Sequence, residues 1–117
     1  MARVTLTKTT IEGPFGDYGA GEADLNLQAA DITDKNQFKC TGKDIVIAQN
    51  TDVGAQTVTI TSYADPYGRT KDITAYSLAA DDVAIFGPFG TTGWMQADGY
   101  VYLEASDAAV KFAVVAL

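Results

Sequence analysis

The sequence predicts an all-β fold: one antiparallel sandwich of jelly-roll or Greek-key type, built from about nine or ten short strands. Three observations carry this. Apolar residues recur with period two almost throughout, the pattern of a half-buried strand. Gly, Pro, Asn and Asp break the chain at short intervals, as sandwiches and barrels require. No alternation of strands with helix-length segments announces a parallel α/β sheet. A small closed barrel is the second architecture these signals allow.

The elements follow in chain order. Val4 and Leu6 alternate with Arg3, Thr5 and Thr7, so a first strand is expected over residues 2–8. Residues 11–21 hold Gly13, Pro14, Gly16, Gly19 and Gly21 and are expected to form a long loop. Ala23, Leu25, Leu27 and Ala29 alternate with polar neighbours, and residues 22–31 read as a strand or a short helix. Strands are expected at Gln37–Cys40, Lys43–Asn50 and Gln56–Tyr63. The last is the clearest, with Val58 and Ile60 on one face and Thr57, Thr59 and Thr61 on the other. Asp65-Pro66-Tyr67-Gly68-Arg69 is a turn, with Pro66 fixing φ and Gly68 supplying conformational freedom. Further strands are expected at Asp72–Leu78, Val83–Phe86, Gly93–Gln96, Tyr100–Glu104 and Val110–Leu117. Asp98-Gly99, between the third and fourth of these, is a two-residue hairpin signal.

The chain has 117 residues, enough for one domain spanning 1–117 and too few for two with separate cores. Its formal net charge is −7, and twelve of its fifteen acids are Asp, a residue of turns and caps. An acidic chain without a basic stripe is a poor partner for phosphate backbones, so nucleic acid is not expected to bind. No apolar run is long enough for a membrane helix, and the N-terminus lacks the apolar core of a secretory signal. Synthesis in a cytoplasm is expected.

The chemistry is defined by what is missing. His is absent, and Cys40 is the single cysteine. Ser-His-Asp and Cys-His arrangements are therefore excluded, as are a disulfide within the chain and a tetrahedral Cys/His zinc site. Cys40 lies in an alternating segment and reads as a small buried hydrophobe. Asp31-Ile32-Thr33-Asp34 and Asp81-Asp82 come nearest to a calcium site, but neither has the required ligand spacing. Glu104 and the other acids offer carboxylate pairs only by their number. Gly13-Pro14-Phe15-Gly16 lacks the Lys-Ser/Thr of a phosphate loop. No catalytic residue, metal ligand or cofactor is expected.

Aromatic side chains are more informative. Most belong to the core or to cross-strand pairs. Phe15, Tyr67 and Phe89 fall in expected loops, where aromatics act as interface anchors. Gly-Pro-Phe-Gly occurs at 13–16 and again at 87–90, so Phe15, Pro88 and Phe89 are candidates for contact with a partner. Arg69, one of two arginines, either clamps a carboxylate of a partner or pairs with Asp65 in its own turn. Trp94 completes the candidate interface set.

From Val58 onward the segments Val58-Thr59-Ile60-Thr61-Ser62, Asp65–Arg69, Ile73–Ala80, Phe86-Gly87-Pro88-Phe89, Gly93-Trp94 and Val110–Val114 resemble small structural proteins of tailed bacteriophages. In particular they resemble capsid decoration or cement proteins encoded near the major capsid protein. The resemblance covers about the C-terminal half. It implies a non-enzymatic β module on the virion exterior, bound to the major capsid protein at a local symmetry axis as a dimer or trimer. It also implies an N-terminal segment able to add a strand to a neighbour. The alternatives are another head or tail component, or a carbohydrate- or protein-binding sandwich that uses Trp94 and the tyrosines.

Overall fold

Two five-stranded sheets face each other in the computed structural model, which describes residues 3–11, 19 and 24–116. Ten strands lie among the described residues. They are β1 (Val4–Thr5), β2 (Lys8–Thr10), β3 (Gln28–Ala29), β4 (Asn36–Lys39), β5 (Asp44–Asn50), β6 (Gln56–Thr61), β7 (Ile73–Leu78), β8 (Val83–Phe89), β9 (Tyr100–Ala105) and β10 (Val110–Ala116). One sheet runs β1-β4-β9-β6-β7. The other runs β2-β10-β5-β8, with β3 pairing the other end of β10.

The eight strands from β3 onward have jelly-roll connectivity. β3 pairs β10, β4 pairs β9, β5 pairs β8 and β6 pairs β7, all antiparallel. The chain is thus a long hairpin folded at the β6–β7 connection and rolled into two sheets. The expectation of wholly antiparallel sheets differs at two places. β1 joins β4 in parallel, and β2 joins β10 in parallel. The strand expected over 2–8 is two short strands in opposite sheets, because the chain crosses the sandwich edge between them. Leu6 marks the crossing. Its side chain is buried, and its N–H donates to Gln37 O at 2.8 Å.

Period-two patterning explains the layers. In β5, Asp44, Val46, Ala48 and Asn50 are buried, while Ile45, Ile47 and Gln49 are half-buried on the outer face. Val58, Ile60, Val101, Leu103, Val110 and Phe112 fill the interior from the other strands, each at 0% exposure. Burial of one such side chain stabilises by about 1.5–3 kcal/mol. Cys40 lies inside this core as expected.

Buried polar groups close the strand ends. Asn50 Nδ2 donates to Gly54 O at 2.9 Å and Leu78 O at 3.0 Å, while its Oδ1 accepts Asp52 N–H at 2.9 Å. Asp44, fully buried, accepts Thr41 N–H at 2.7 Å and Lys8 Nζ at 2.8 Å. These stitches tie β2 to the 41–44 turn and β5 to the end of β7. Asp31 Oδ1 caps its own turn, accepting Thr33 and Asp34 N–H at 2.9 Å each.

Two segments depart from the expected elements. Gly93–Gln96 is not a strand; Thr91–Trp94 forms a short helical turn broken by Gly93 at φ 96°. The Asp98-Gly99 signal marks a turn in which Gly99 N–H returns to Gln96 O at 2.9 Å, with Gly99 at φ 88°. It leads into β9 from this turn rather than from a paired strand. Over residues 22–31 the described part is irregular at 24–27 and strand at β3.

Candidate functional site

The β6–β7 connection and the segment after β8 meet at one end of the sandwich. The first, residues 62–72, is built around two carboxylates. Asp65 Oδ1 accepts the N–H groups of Tyr67 at 2.9 Å and Arg69 at 3.0 Å, and its Oδ2 accepts Arg69 Nε at 2.8 Å. The Arg69 backbone donor holds the Asp65 carboxyl below its usual range. Gly68 sits at φ 76°, the left-handed conformation this turn needs. Asp72 Oδ1 accepts both Ser62 Oγ at 2.6 Å and Ser62 N–H at 2.9 Å. The Ser62 hydroxyl is the main cause of a lowered Asp72 carboxyl.

The second segment is tied to the first by Tyr63 N–H donating to Gly93 O at 2.8 Å. Gln96 Nε2 adds bonds to Thr61 O at 3.3 Å and Ser62 O at 3.2 Å. Two open clefts flank this junction. One, of about 200 Å³, is lined by Ser62, Arg69, Lys71 and Trp94. The other, of about 380 Å³, is lined by Tyr63, Pro66, Met95 and Gln96.

Three of the sequence candidates come together here. Tyr67 is 83% exposed at the tip of the turn. The Arg69 guanidinium lies 5.2 Å from the Tyr67 ring centroid, so the Asp65 pairing anticipated from sequence leaves it stacked on an exposed aromatic. Trp94 is half-buried, with its ring edge-on to Phe89 at 4.9 Å.

The other three candidates lie apart. Phe15 and the first Gly-Pro-Phe-Gly lie outside the described residues. Pro88 is exposed, but on β8 rather than on a loop. Phe89 is a correction. It is the last residue of β8, 2% exposed, and packs on Phe38 at 6.2 Å as well as on Trp94. Strand β8 continues through Gly87-Pro88, and its register shift against β5 sets Phe89 opposite Asp44 with its ring in the core.

Sequence reasoning missed a second exposed region. Along β8, Val83 is 57% and Ile85 68% exposed, and Tyr76 of β7, in the facing sheet, is 48% exposed. The Tyr76 ring meets Phe86 edge-on at 5.2 Å. The available signal was Val83-Ala84-Ile85-Phe86, apolar on both faces where a half-buried strand would alternate.

Both carboxylates at this end are engaged as hydrogen-bond acceptors within the connection itself. A carboxylate held below its usual range, as Asp65 and Asp72 are, is a weak general base at neutral pH. Among the described residues no three His, Cys, Asp or Glu side chains gather as metal ligands. Comparison with protein-family models, with curated proteins and with solved structures finds no match to this chain.

Proposed function

We propose that this chain is a virion structural protein of the capsid decoration or cement kind, binding the major capsid shell of a tailed phage from outside by protein–protein contacts. The observation that carries the reading is the turn at 65–69. It is rigidified by Asp65 and presents a stacked Tyr67–Arg69 pair to solvent. Tyr and Arg dominate the energetics of protein interfaces, and a pre-ordered turn loses little entropy on docking. The sequence resemblance over the C-terminal half supplies the identity of the partner.

The test is co-sedimentation of the purified chain with expanded capsids of the shell protein encoded in the same genome. Stoichiometric retention through washing supports the reading. Recovery of the chain in the supernatant overturns it. Tyr67→Ala is expected to weaken retention by about 2 kcal/mol, roughly 30-fold.

A second reading is a carbohydrate- or protein-binding module. It is favoured by the cleft lined by Tyr63, itself 44% exposed. Retention on a glycan array that is lost in Tyr63→Ala or Trp94→Ala would support this reading instead.

A further inference from the structure

The four lateral margins of the sandwich are not treated alike. β1 and β2 cover the edges of β4 and β10, and Leu6 plugs the gap between the sheets. β7 is an outer strand broken by a register shift between Val58 and Ile60, with Ala75 at φ 50° and its N–H turned to Thr59 Oγ1. Bulges of this kind protect an edge from pairing. β8 has no such device over Val83–Phe86, where its register with β5 is regular.

The ladder fixes which groups of β8 are free. Asn50 faces Asp82, with Asn50 N–H donating to Asp82 O and Asp81 N–H donating to Asn50 O, both at 3.0 Å. Hydrogen-bonded and non-bonded pairs alternate along an antiparallel ladder. Ala84 and Phe86 therefore bond to β5, while the N–H and C=O groups of Val83 and Ile85 point to the open edge. Pro88, the residue that lacks a donor, lies beyond this stretch and does not block it.

We propose that β8 pairs with β8 of a second copy of this chain across a two-fold axis, joining two sheets into one. Charge selects this occupant. The chain carries −7 overall, so two copies repel wherever their acids meet. Val83–Phe89 contains no charged residue. A two-fold centred on Ile85 sets Ile85 beside its own copy and Ala84 beside Phe86. Asp81 and Asp82 of the two copies then fall at opposite ends. Ile47, which neighbours Ile85 on the outer face, extends the apolar strip on both sides of the axis. The same surface serves both copies, as a closed dimer demands. This inference does not depend on the capsid reading.

Light scattering of the full chain from about 1 μM to about 1 mM, the range of weak to moderate association, tests it without any shell present. A mass rising to twice the 12.4 kDa of one chain is expected. Ile85→Lys, at an exposed position, should fold with unchanged circular dichroism and stay at half that mass. Val83→Lys serves as an independent variant should Ile85→Lys misfold, and Thr74→Lys on β7 should still dimerise. Wild-type protein that is monomeric throughout overturns the proposal. So does a trimer, or a dimer that persists in both β8 variants.

Discussion

The two lateral sides of the sandwich are built from the same β ladders and end differently. On one side the segment 3–11 runs across both sheets. It bonds β4 through Leu6 N–H and β10 through Ile11 N–H, which donates to Ala116 O at 2.9 Å. The half-buried Lys8 anchors it to the fully buried Asp44. On the other side β7 and β8 end in solvent with Tyr76, Val83 and Ile85 exposed. The closed side ties its covering segment to both sheets by backbone hydrogen bonds and one ion pair within the chain. The open side leaves the backbone groups of Val83 and Ile85 at its edge and their side chains exposed. Substitutions on the closed side should therefore cost folding, and those on the open side should cost association.

The largest folding loss is expected inside the core that both sides share. Phe89→Ala removes a ring packed on Phe38 and Trp94 and should destabilise by about 3–5 kcal/mol in denaturant unfolding. A loss confined to binding would return Phe89 to the surface. Next comes the anchor of the closed side. Lys8→Met leaves the Asp44 carboxylate buried without its cation and should cost about 3 kcal/mol. A near-zero cost would mean that the strap is not needed to close that edge.

The predicted insensitivity of the open side sharpens the contrast. Ile85→Ser should change stability by less than about 0.5 kcal/mol at a concentration where the chain is monomeric. A cost above about 2 kcal/mol would show Ile85 to be part of the core.

The smallest effect is at the loop end and depends on pH. The Asp65 and Asp72 carboxyls sit below their usual value of 3.8, so both favour the folded loop when ionised. Their contribution is complete above the unfolded value and disappears as pH falls through the lowered ones. Near-neutral stability should be flat. Below about pH 4, the N–H groups of Tyr67 and Arg69 should lose exchange protection before β5 does. Loss beginning near pH 6 would contradict this assignment.

Much of the fold was legible in the sequence. Val58–Thr61 and Asp44–Asn50 alternate cleanly because one face of each strand is buried against the other sheet. The Asp65–Arg69 turn was also readable, since Pro66, Gly68 and Asp65 each have a local role. Three things were not legible, all for non-local reasons. The split of the first strand depends on where Leu6 meets the far sheet. The burial of Phe89 depends on a register shift against β5, in a stretch that Gly87 and Pro88 mark as loop. The pairing of Lys8 with Asp44 links residues 36 positions apart, and no pattern in either segment announces it. Of the candidate site, Tyr67, Arg69 and Trp94 were found as single residues, but their meeting follows from the closure of residues 62–72 on Gly93.

Residue-resolved amide exchange on dilute, monomeric protein at neutral pH tests the contrast between the two sides most directly. Leu6 and Ile11 N–H, bonded to Gln37 O and Ala116 O, should exchange slowly. Val83 and Ile85 N–H should exchange at nearly the rate of an unstructured chain, while Ala84 and Phe86 between and beside them stay protected. Slow exchange at Val83 and Ile85 in the monomer would show that the β8 edge is already satisfied within the chain, and the account of an open, partner-seeking side would fail.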